Sequence, residues 1–278
     1  MTLQTAIKKA SRLPLYIFLV IWLVASIYPI IWVVLTSFRT NADVITNPWG
    51  FPNTFLWNNY VNAIVKSNIP RYFLNSVIVS CSSVALILII SSMAAYVFAR
   101  LRFKSRNTLF YIILLGLGIP PQIALVPLFI VNLKLGISNT YLALIGPYVA
   151  FNLPFGIMIL RSFMMTIPHE LEEAAFLDGC NRFNMFWKIF FPLSMPALSV
   201  VGVFSFVGTW NEYLFALTFI NDAKLKTLTI GLSDFIGEFV TQWPLMAAGM
   251  VLSMLPMVLL FVFMQDKLTK AMTVGAVK

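Results

Sequence analysis

Long apolar runs alternate with short polar segments along almost the whole chain. An α-helix rises about 1.5 Å per residue, so about 20 apolar residues cross the roughly 30 Å hydrocarbon layer of a membrane. Runs of that length predict an all-α protein with six transmembrane helices. The predicted spans are residues 15–38, 72–99, 108–133, 141–160, 195–220 and 243–264.

The composition agrees with an integral membrane protein. Hydrophobic residues make up 60% and charged residues 10% of the 278 positions, whereas an average soluble protein has about 25% charged residues. The first apolar run is longer than the roughly 7–15 residues of a signal-peptide core, so we expect it to be retained as a span.

Positive charges indicate which segments face the cytoplasm. The net charge is +9, and Lys and Arg concentrate at alternate ends of the apolar runs, as the positive-inside rule describes. Because no basic helix carries interleaved exposed aromatic residues, we expect no nucleic-acid partner. The charge bias predicts a cytoplasmic N-terminal segment 1–14, a membrane domain 15–264 whose loop 164–196 is cytoplasmic, and a cytoplasmic tail 265–278.

The third span should bend. Gly116, Gly118, Pro120, Pro121 and Pro127 interrupt it, and a proline in a helix frees backbone groups that need other partners. Such a bent span is a candidate for lining a transport path, and a packing kink explains it equally well.

The segment 39–71 is polar and irregular in pattern and should face outward. Its Trp49 and Trp57 belong to a residue type that stacks on sugars. Aromatic residues beside a span more often form the interfacial belt, which is the favoured interpretation here.

The longest charged segment lies between the fourth and fifth spans. Pro168 precedes an acidic stretch, and Gly179 supplies the backbone freedom on which a helix can end. An aromatic stretch, 183–190, follows, and Pro192 prevents its simple continuation into the next run. The pattern predicts two short helices joined by a glycine elbow.

The spacing within this segment resembles the EAA loop of ABC importer permeases. Glu173-Ala174-Ala175 is followed by Gly179, Ile189 and Pro192 at the spacing of that motif, with Phe191 where the family usually has Leu. Asp178, Phe186 and the later Trp210-Asn211-Glu212-Tyr213 look more like the carbohydrate branch, in particular the second permease of maltose-type importers.

The resemblance implies a type I ABC importer permease fold and ATP-driven import of a sugar, such as an oligosaccharide, across a bacterial cytoplasmic membrane. The implied partners are a second permease, an ATPase dimer that binds the ATP, an extracytoplasmic sugar-binding protein and membrane lipid. The chain would need no cofactor of its own and would not be an enzyme. The residues implied to couple to the ATPase are Glu172, Glu173, Ala174, Ala175, Asp178, Gly179, Ile189 and Pro192.

Two alternatives remain open at this point: a permease for another small polar solute, and a secondary transporter. A secondary transporter would need coupling-ion carboxylates within its spans, and only Glu212 is available.

Glu212 is costly within a span, by about 2.5–3.5 kcal/mol on insertion scales. It would either line the substrate path, together with Trp210, Asn211 and Tyr213, or form a hydrogen-bond lock between helices. The lock is the favoured interpretation.

Enzymatic and metal chemistry find no support in the sequence. It has no GxxxxGK[ST] motif, and His169, the one histidine, lacks the second His of an HExxH zinc site. Cys81 and Cys180 form no CxxC pair, so we expect no disulfide, no metal site and no catalytic residue.

Overall fold

The computed structural model describes residues 3–237 and 240–276, without the side chains of residues 3–13, Lys66 and residues 266–276. Its α-helices are α1 (Leu3–Thr36), α2 (Asn41–Thr46), α3 (Asn58–Val61), α4 (Ile69–Arg100), α5 (Arg106–Leu115), α6 (Leu125–Lys134), α7 (Leu142–Met164), α8 (Glu170–Leu177), α9 (Arg182–Met185), α10 (Phe191–Leu193), α11 (Met195–Trp210), α12 (Leu214–Phe219), α13 (Leu228–Gly231) and α14 (Trp243–Ala276). Asn62–Lys66 and Phe186–Phe190 form π-helical turns.

Four described helices are long and apolar enough to cross a membrane: Pro14–Thr36, Ile69–Arg100, Leu142–Met164 and Trp243–Gln265. Two bent pairs reach that length together, Arg106–Gly118 with Pro121–Lys134 at 93° and Arg182–Leu193 with Met195–Trp210 at 75°. Counting each pair as one span gives six, which agrees with the predicted number. The bend predicted in the third span is confirmed, and it lies at Ile119 and Pro120.

The fifth predicted span, 195–220, is wrong as one continuous helix. It is two helices, α11 and α12, separated at residues 211–213. The apolar run gave no sign of this break. Hydropathy reports how readily a residue transfers from water to lipid, and it does not show where a helix ends because a polar side chain bonds to its backbone groups.

Helices α1 and α14 extend beyond the predicted first and sixth spans. α1 begins within the segment 1–14 predicted to be cytoplasmic, and α14 continues into the predicted cytoplasmic tail 265–278. A charged residue ends the part of a helix that can lie in lipid, without ending the helix itself. The side chains of Lys8, Lys9, Arg12, Asp266, Lys267 and Lys270, as well as Lys278 itself, lie outside the described residues.

The chain divides into two compact units. Unit 1 comprises Met1–Ile69 and Leu232–Met254. At its centre Arg39, only 2% exposed, donates to the Asp43 carboxylate at 2.6 Å and to the carbonyls of Asn47 and Pro48. The hydrogen bond from Arg39 lowers the pKa of the Asp43 carboxyl. The segment predicted as irregular therefore has ordered structure that includes α2 and α3, and a buried arginine holds it together.

Unit 2 comprises Pro70–Gly231 and Leu255–Lys278. Helices α4, α7 and α11 form its core, with Ile87, Leu160 and Val201 fully buried. The helices approach closely at Gly156, where an added Cβ would lie 2.9 Å from Ser91. Ser76, Ser80 and Ser83 on α4 are buried, as expected for a face of small residues against which other segments pack.

Candidate functional site

The loop between α7 and α11 forms the predicted pair of short helices with a glycine elbow. Gly179 has φ +77°, a backbone conformation that glycine adopts without steric cost. Its N–H donates to the Phe176 carbonyl at 3.1 Å, and the Cys180 N–H donates to the Ala175 carbonyl at 3.0 Å. These two bonds are the Schellman arrangement that ends a helix. The Asn181 side chain then accepts from the Asn184 N–H at 2.8 Å and begins α9.

The two alanines of the motif differ in exposure. Ala175 is 5% exposed and belongs to the core cluster with Met185 and Phe190, whereas Ala174 and Glu173 are exposed. Ala175 therefore faces inward, and its small side chain lets α8 pack closely on its own chain. Helix orientation depends on packing, which the motif alone does not specify.

The outer surface of the loop includes two apolar residues that sequence reasoning missed. Phe176 is 72% exposed and Leu177 is 88% exposed, directly before the elbow. Large exposed apolar side chains at the tip of a charged loop are typical of a surface that contacts another protein or the membrane. Their position directly before Gly179 is the sequence feature from which their exposure could have been predicted.

Arg100 connects this loop to the end of α4, a role that sequence reasoning also missed. Its guanidinium donates to the Met164 carbonyl at 2.6 Å and to the Ile167 carbonyl. It lies over the Phe190 ring at 4.8 Å and faces the Glu172 carboxylate at 3.7 Å. The sequence shows Arg100 only as one of several loop charges, because its partners lie more than 60 positions away.

The other predicted coupling residues support the loop from different places. Ile189 packs partly buried against the core cluster, together with Phe191, which stands where the motif usually has Leu. Pro192 is exposed in the first turn of α10, close to the 75° bend into α11. Asp178 is the C-cap residue directly after α8 and is exposed.

Glu212 lies in the break between α11 and α12 rather than inside a helix. Its carboxylate accepts from the Phe215 N–H at 2.7 Å and from the Ala216 N–H at 3.1 Å, so it caps the start of α12. It also accepts from the Tyr148 hydroxyl on α7 at 2.6 Å. The hydrogen bond between elements that the lock interpretation requires is present.

The four consecutive residues predicted to line a path do not share one environment. Trp210 is 3% exposed and stacks on Phe206 at 5.5 Å between ring centroids. Asn211 donates back to the Val207 carbonyl of its own helix, and Tyr213 is 40% exposed. Of the four, Glu212 alone lines the cavity at this break.

That cavity has a volume of about 230 Å³. It brings together the break after Ile119, the middle of α7 and the break before α12, so two interrupted helices meet at one place. Its polar lining residues are Gln122, Tyr148, Asn152, Thr209 and Glu212.

The comparisons with known proteins agree with this geometry. The sequence profile of the binding-protein-dependent transport system inner membrane component family matches residues 87–274. The probable ABC transporter permease protein YurM of Bacillus subtilis is 39% identical, over 95% of this chain and 87% of that protein. The trehalose/maltose transport system permease protein MalG of Thermococcus litoralis is 35% identical, over 96% of this chain and 97% of that protein.

A solved structure has a similar fold. The crystal structure of a bacterial ABC transporter involved in the import of the acidic polysaccharide alginate contains a chain that matches with a TM-score of 0.82 at 20% identity. The match covers 96% of this chain and 98% of that one. At this level of identity the likeness concerns the fold.

Proposed function

Because this chain belongs to the family of binding-protein-dependent transport system inner membrane components, we propose that it is the membrane-spanning subunit of an ATP-driven sugar importer. The resemblance of its loop to ABC importer permeases is confirmed by the family match and by the relatives. Its multi-pass membrane character and its role as a transport subunit rather than an enzyme follow from the same membership.

A sugar is the proposed substrate class. The support is the relative named as a trehalose/maltose transport permease, which matches almost the full length of both chains. An oligosaccharide or related glycoside fits this support better than another small polar solute. A secondary transporter is not favoured, because the family depends on a binding protein.

The observation that carries the mechanism is the capped helix α8 with its exposed tip. Glu173, Ala174, Phe176 and Leu177 offer a narrow surface to a cleft on a separate ATPase dimer, which would bind the ATP. Movement of α8 would reach α4 through Arg100 and the carbonyls of Met164 and Ile167. ATP binding would thereby turn the path from inward-facing to outward-facing.

Three further partners complete the proposal. A second, different permease would form the other half of the path, a sugar-binding protein would deliver the sugar from outside, and lipid would surround the exposed apolar face of α1. The residues assigned to ATPase coupling remain Glu172, Glu173, Ala174, Ala175, Asp178, Gly179, Ile189 and Pro192, with Ala175 acting through packing.

The proposed location is a bacterial cytoplasmic membrane, with both termini and the loop 164–196 on the cytoplasmic side. The support is the basic segment at Arg100, Arg102, Lys104 and Arg106, since positive charges favour the cytoplasmic side.

The function is tested by purifying the chain together with its neighbours and reconstituting the complex in liposomes. We expect ATP hydrolysis to rise with one sugar of a panel, and only when the binding protein is present. That sugar should enter the liposomes only with ATP. Uptake driven by a proton or sodium gradient without the ATPase would contradict the proposal.

A further inference from the structure

We propose that the cavity around Glu212 is an accessible subsite that binds the hydroxyl groups of a neutral sugar ring and excludes anionic groups. This inference rests on the proposed function and names its substrate class more narrowly. It assigns a role to Gln122, Tyr148, Asn152, Thr209, Glu212 and Phe215, all of which line the cavity.

The cavity lies where two helix interruptions meet. Pro121 and Gln122 directly follow the break of one bent pair, and Glu212 lies in the break between α11 and α12. Interrupted helices leave backbone groups without helical partners, which is tolerated at membrane depth where the break is buried in protein or lines a water-filled cavity. Two breaks that meet at one cavity with several polar lining residues are therefore placed as in the binding sites of transporters built from discontinuous helices.

The polar side chains of the cavity have free capacity for a ligand with hydroxyl groups. Asn152 Nδ2 donates to the Tyr148 carbonyl at 2.8 Å, and within the described residues its Oδ1 accepts no hydrogen bond. The Thr209 hydroxyl donates to the Ser205 carbonyl at 2.9 Å and can still accept. Hydroxyl groups both donate and accept hydrogen bonds, so they can pair with the donors and with the acceptors among these side chains.

The size and the aromatic lining indicate a ring-sized occupant. Phe151 and Phe215 add two aromatic side chains to the cavity. Its volume of about 230 Å³ is below the roughly 300–1,000 Å³ of typical ligand pockets. The cavity can therefore hold one sugar ring at a time rather than a whole oligosaccharide.

The charge of Glu212 determines which rings can enter. Its three partners, Tyr148, Phe215 and Ala216, all donate, as an ionised carboxylate requires. Within the described residues no Lys, Arg or His lines the cavity, so no basic group there neutralises the carboxylate. A uronate or phosphate in the cavity would face an unneutralised negative charge at short range, which is strongly unfavourable where little water screens it.

The test measures the charge selectivity of the cavity directly. Gly208 lines the cavity, and a Cβ added there would have as its nearest neighbour the Asn152 Oδ1 atom, at 4.0 Å. Gly208→Cys is made in a background with Cys81→Ser and Cys180→Ser, and the complex is purified with its permease and ATPase partners. Its modification rates are measured with two small methanethiosulfonates, one cationic (trimethylammonium-ethyl) and one anionic (sulfonatoethyl).

The ratio of the cationic to the anionic rate is normalised to the same ratio at Asn53→Cys, an exposed position in unit 1. We expect a normalised ratio of about five or more in favour of the cation, falling toward one when Glu212→Gln is added. Asn152→Asp, which leaves the partners of Glu212 in place, should raise the ratio further. This second variant keeps the test valid if Glu212→Gln fails to fold.

Equal rates for the two reagents, or no modification at position 208 while position 53 reacts, would overturn the inference. Sugar-stimulated ATP hydrolysis is measured on the same preparations. If a sugar stimulates ATP hydrolysis normally but the two reagents react at equal rates, only the charge-selective subsite is contradicted. If no sugar of the panel stimulates ATP hydrolysis, the proposed function is contradicted.

Discussion

At the scale of single residues, hydrogen bonding explains why the Glu212 carboxylate is tolerated beside apolar helices. It accepts three hydrogen bonds that the backbone and Tyr148 would otherwise lack. Leaving a buried donor without an acceptor costs about 1–3 kcal/mol. The free energy that Glu212 saves by satisfying these donors is therefore comparable to the free-energy cost of placing its charge in the membrane.

Removing these acceptors should destabilise the protein. Glu212→Leu leaves the Phe215 and Ala216 N–H groups without their partner, so we expect a clearly lower unfolding temperature of the purified complex. Glu212→Gln keeps a side-chain acceptor and should retain most stability and most uptake of a neutral sugar. Asn211→Leu is the matched control, since within the described residues the Asn211 side chain bonds only to the Val207 carbonyl, four positions earlier. Equal unfolding temperatures for the Glu212→Leu and Asn211→Leu complexes would show that Glu212 does not act as a hydrogen-bond lock between helices.

Arg100 yields a second prediction at the residue scale. Arg100→Lys keeps a positive charge but cannot donate to two carbonyls from a planar group, and hydrogen bonds from charged groups contribute about 1.5–3 kcal/mol each. We expect the amides of α8 to exchange with deuterium about tenfold or more faster in the purified complex. Arg102→Lys, at an exposed neighbouring position, should leave that exchange unchanged. Unaltered protection of α8 in Arg100→Lys would remove Arg100 from the coupling route.

At the scale of elements, the sequence predicted what depends on local pattern. The apolar runs located the spans, the prolines located the bend in the third span, and Gly179 located the elbow, where its φ of +77° is as expected. Each of these signals acts within a few residues.

The elements that could not be predicted depend on distant partners. The break before α12 is stabilised by Tyr148, 64 positions earlier, and the inward face of Ala175 is set by contacts with the core cluster. Arg100 reads as a membrane-orientation charge until its two carbonyl partners are known. Hydropathy and motif spacing carry no information about such contacts.

At the scale of the whole molecule, the distribution of positive charge predicts which side of the membrane each loop faces. Ser105 and Asn58 are both exposed, and they belong to segments assigned to opposite sides. In a background without Cys81 and Cys180, Ser105→Cys should react with an impermeant maleimide only from the cytoplasmic side. Asn58→Cys should react only from outside. Labelling of both from one side would contradict the six-span topology.

The central claim is that the glycine-elbow loop transmits ATPase movement to the spans, and two glycines allow a matched test of it. Gly179 and Gly136 have φ of +77° and +66°, and a Cβ added at either meets no atom within 4 Å. Valine at either position therefore introduces backbone strain without a clash, of roughly 1–2 kcal/mol or somewhat more for a branched side chain.

The decisive measurement is sugar-stimulated ATP hydrolysis by complexes carrying Gly179→Val or Gly136→Val, with membrane abundance and ATPase retention determined for both. The account predicts normal abundance for both variants, with stimulation and ATPase retention lost only in Gly179→Val, because strain there re-aims the surface of α8. Normal ATPase retention and normal stimulation in Gly179→Val would contradict the account.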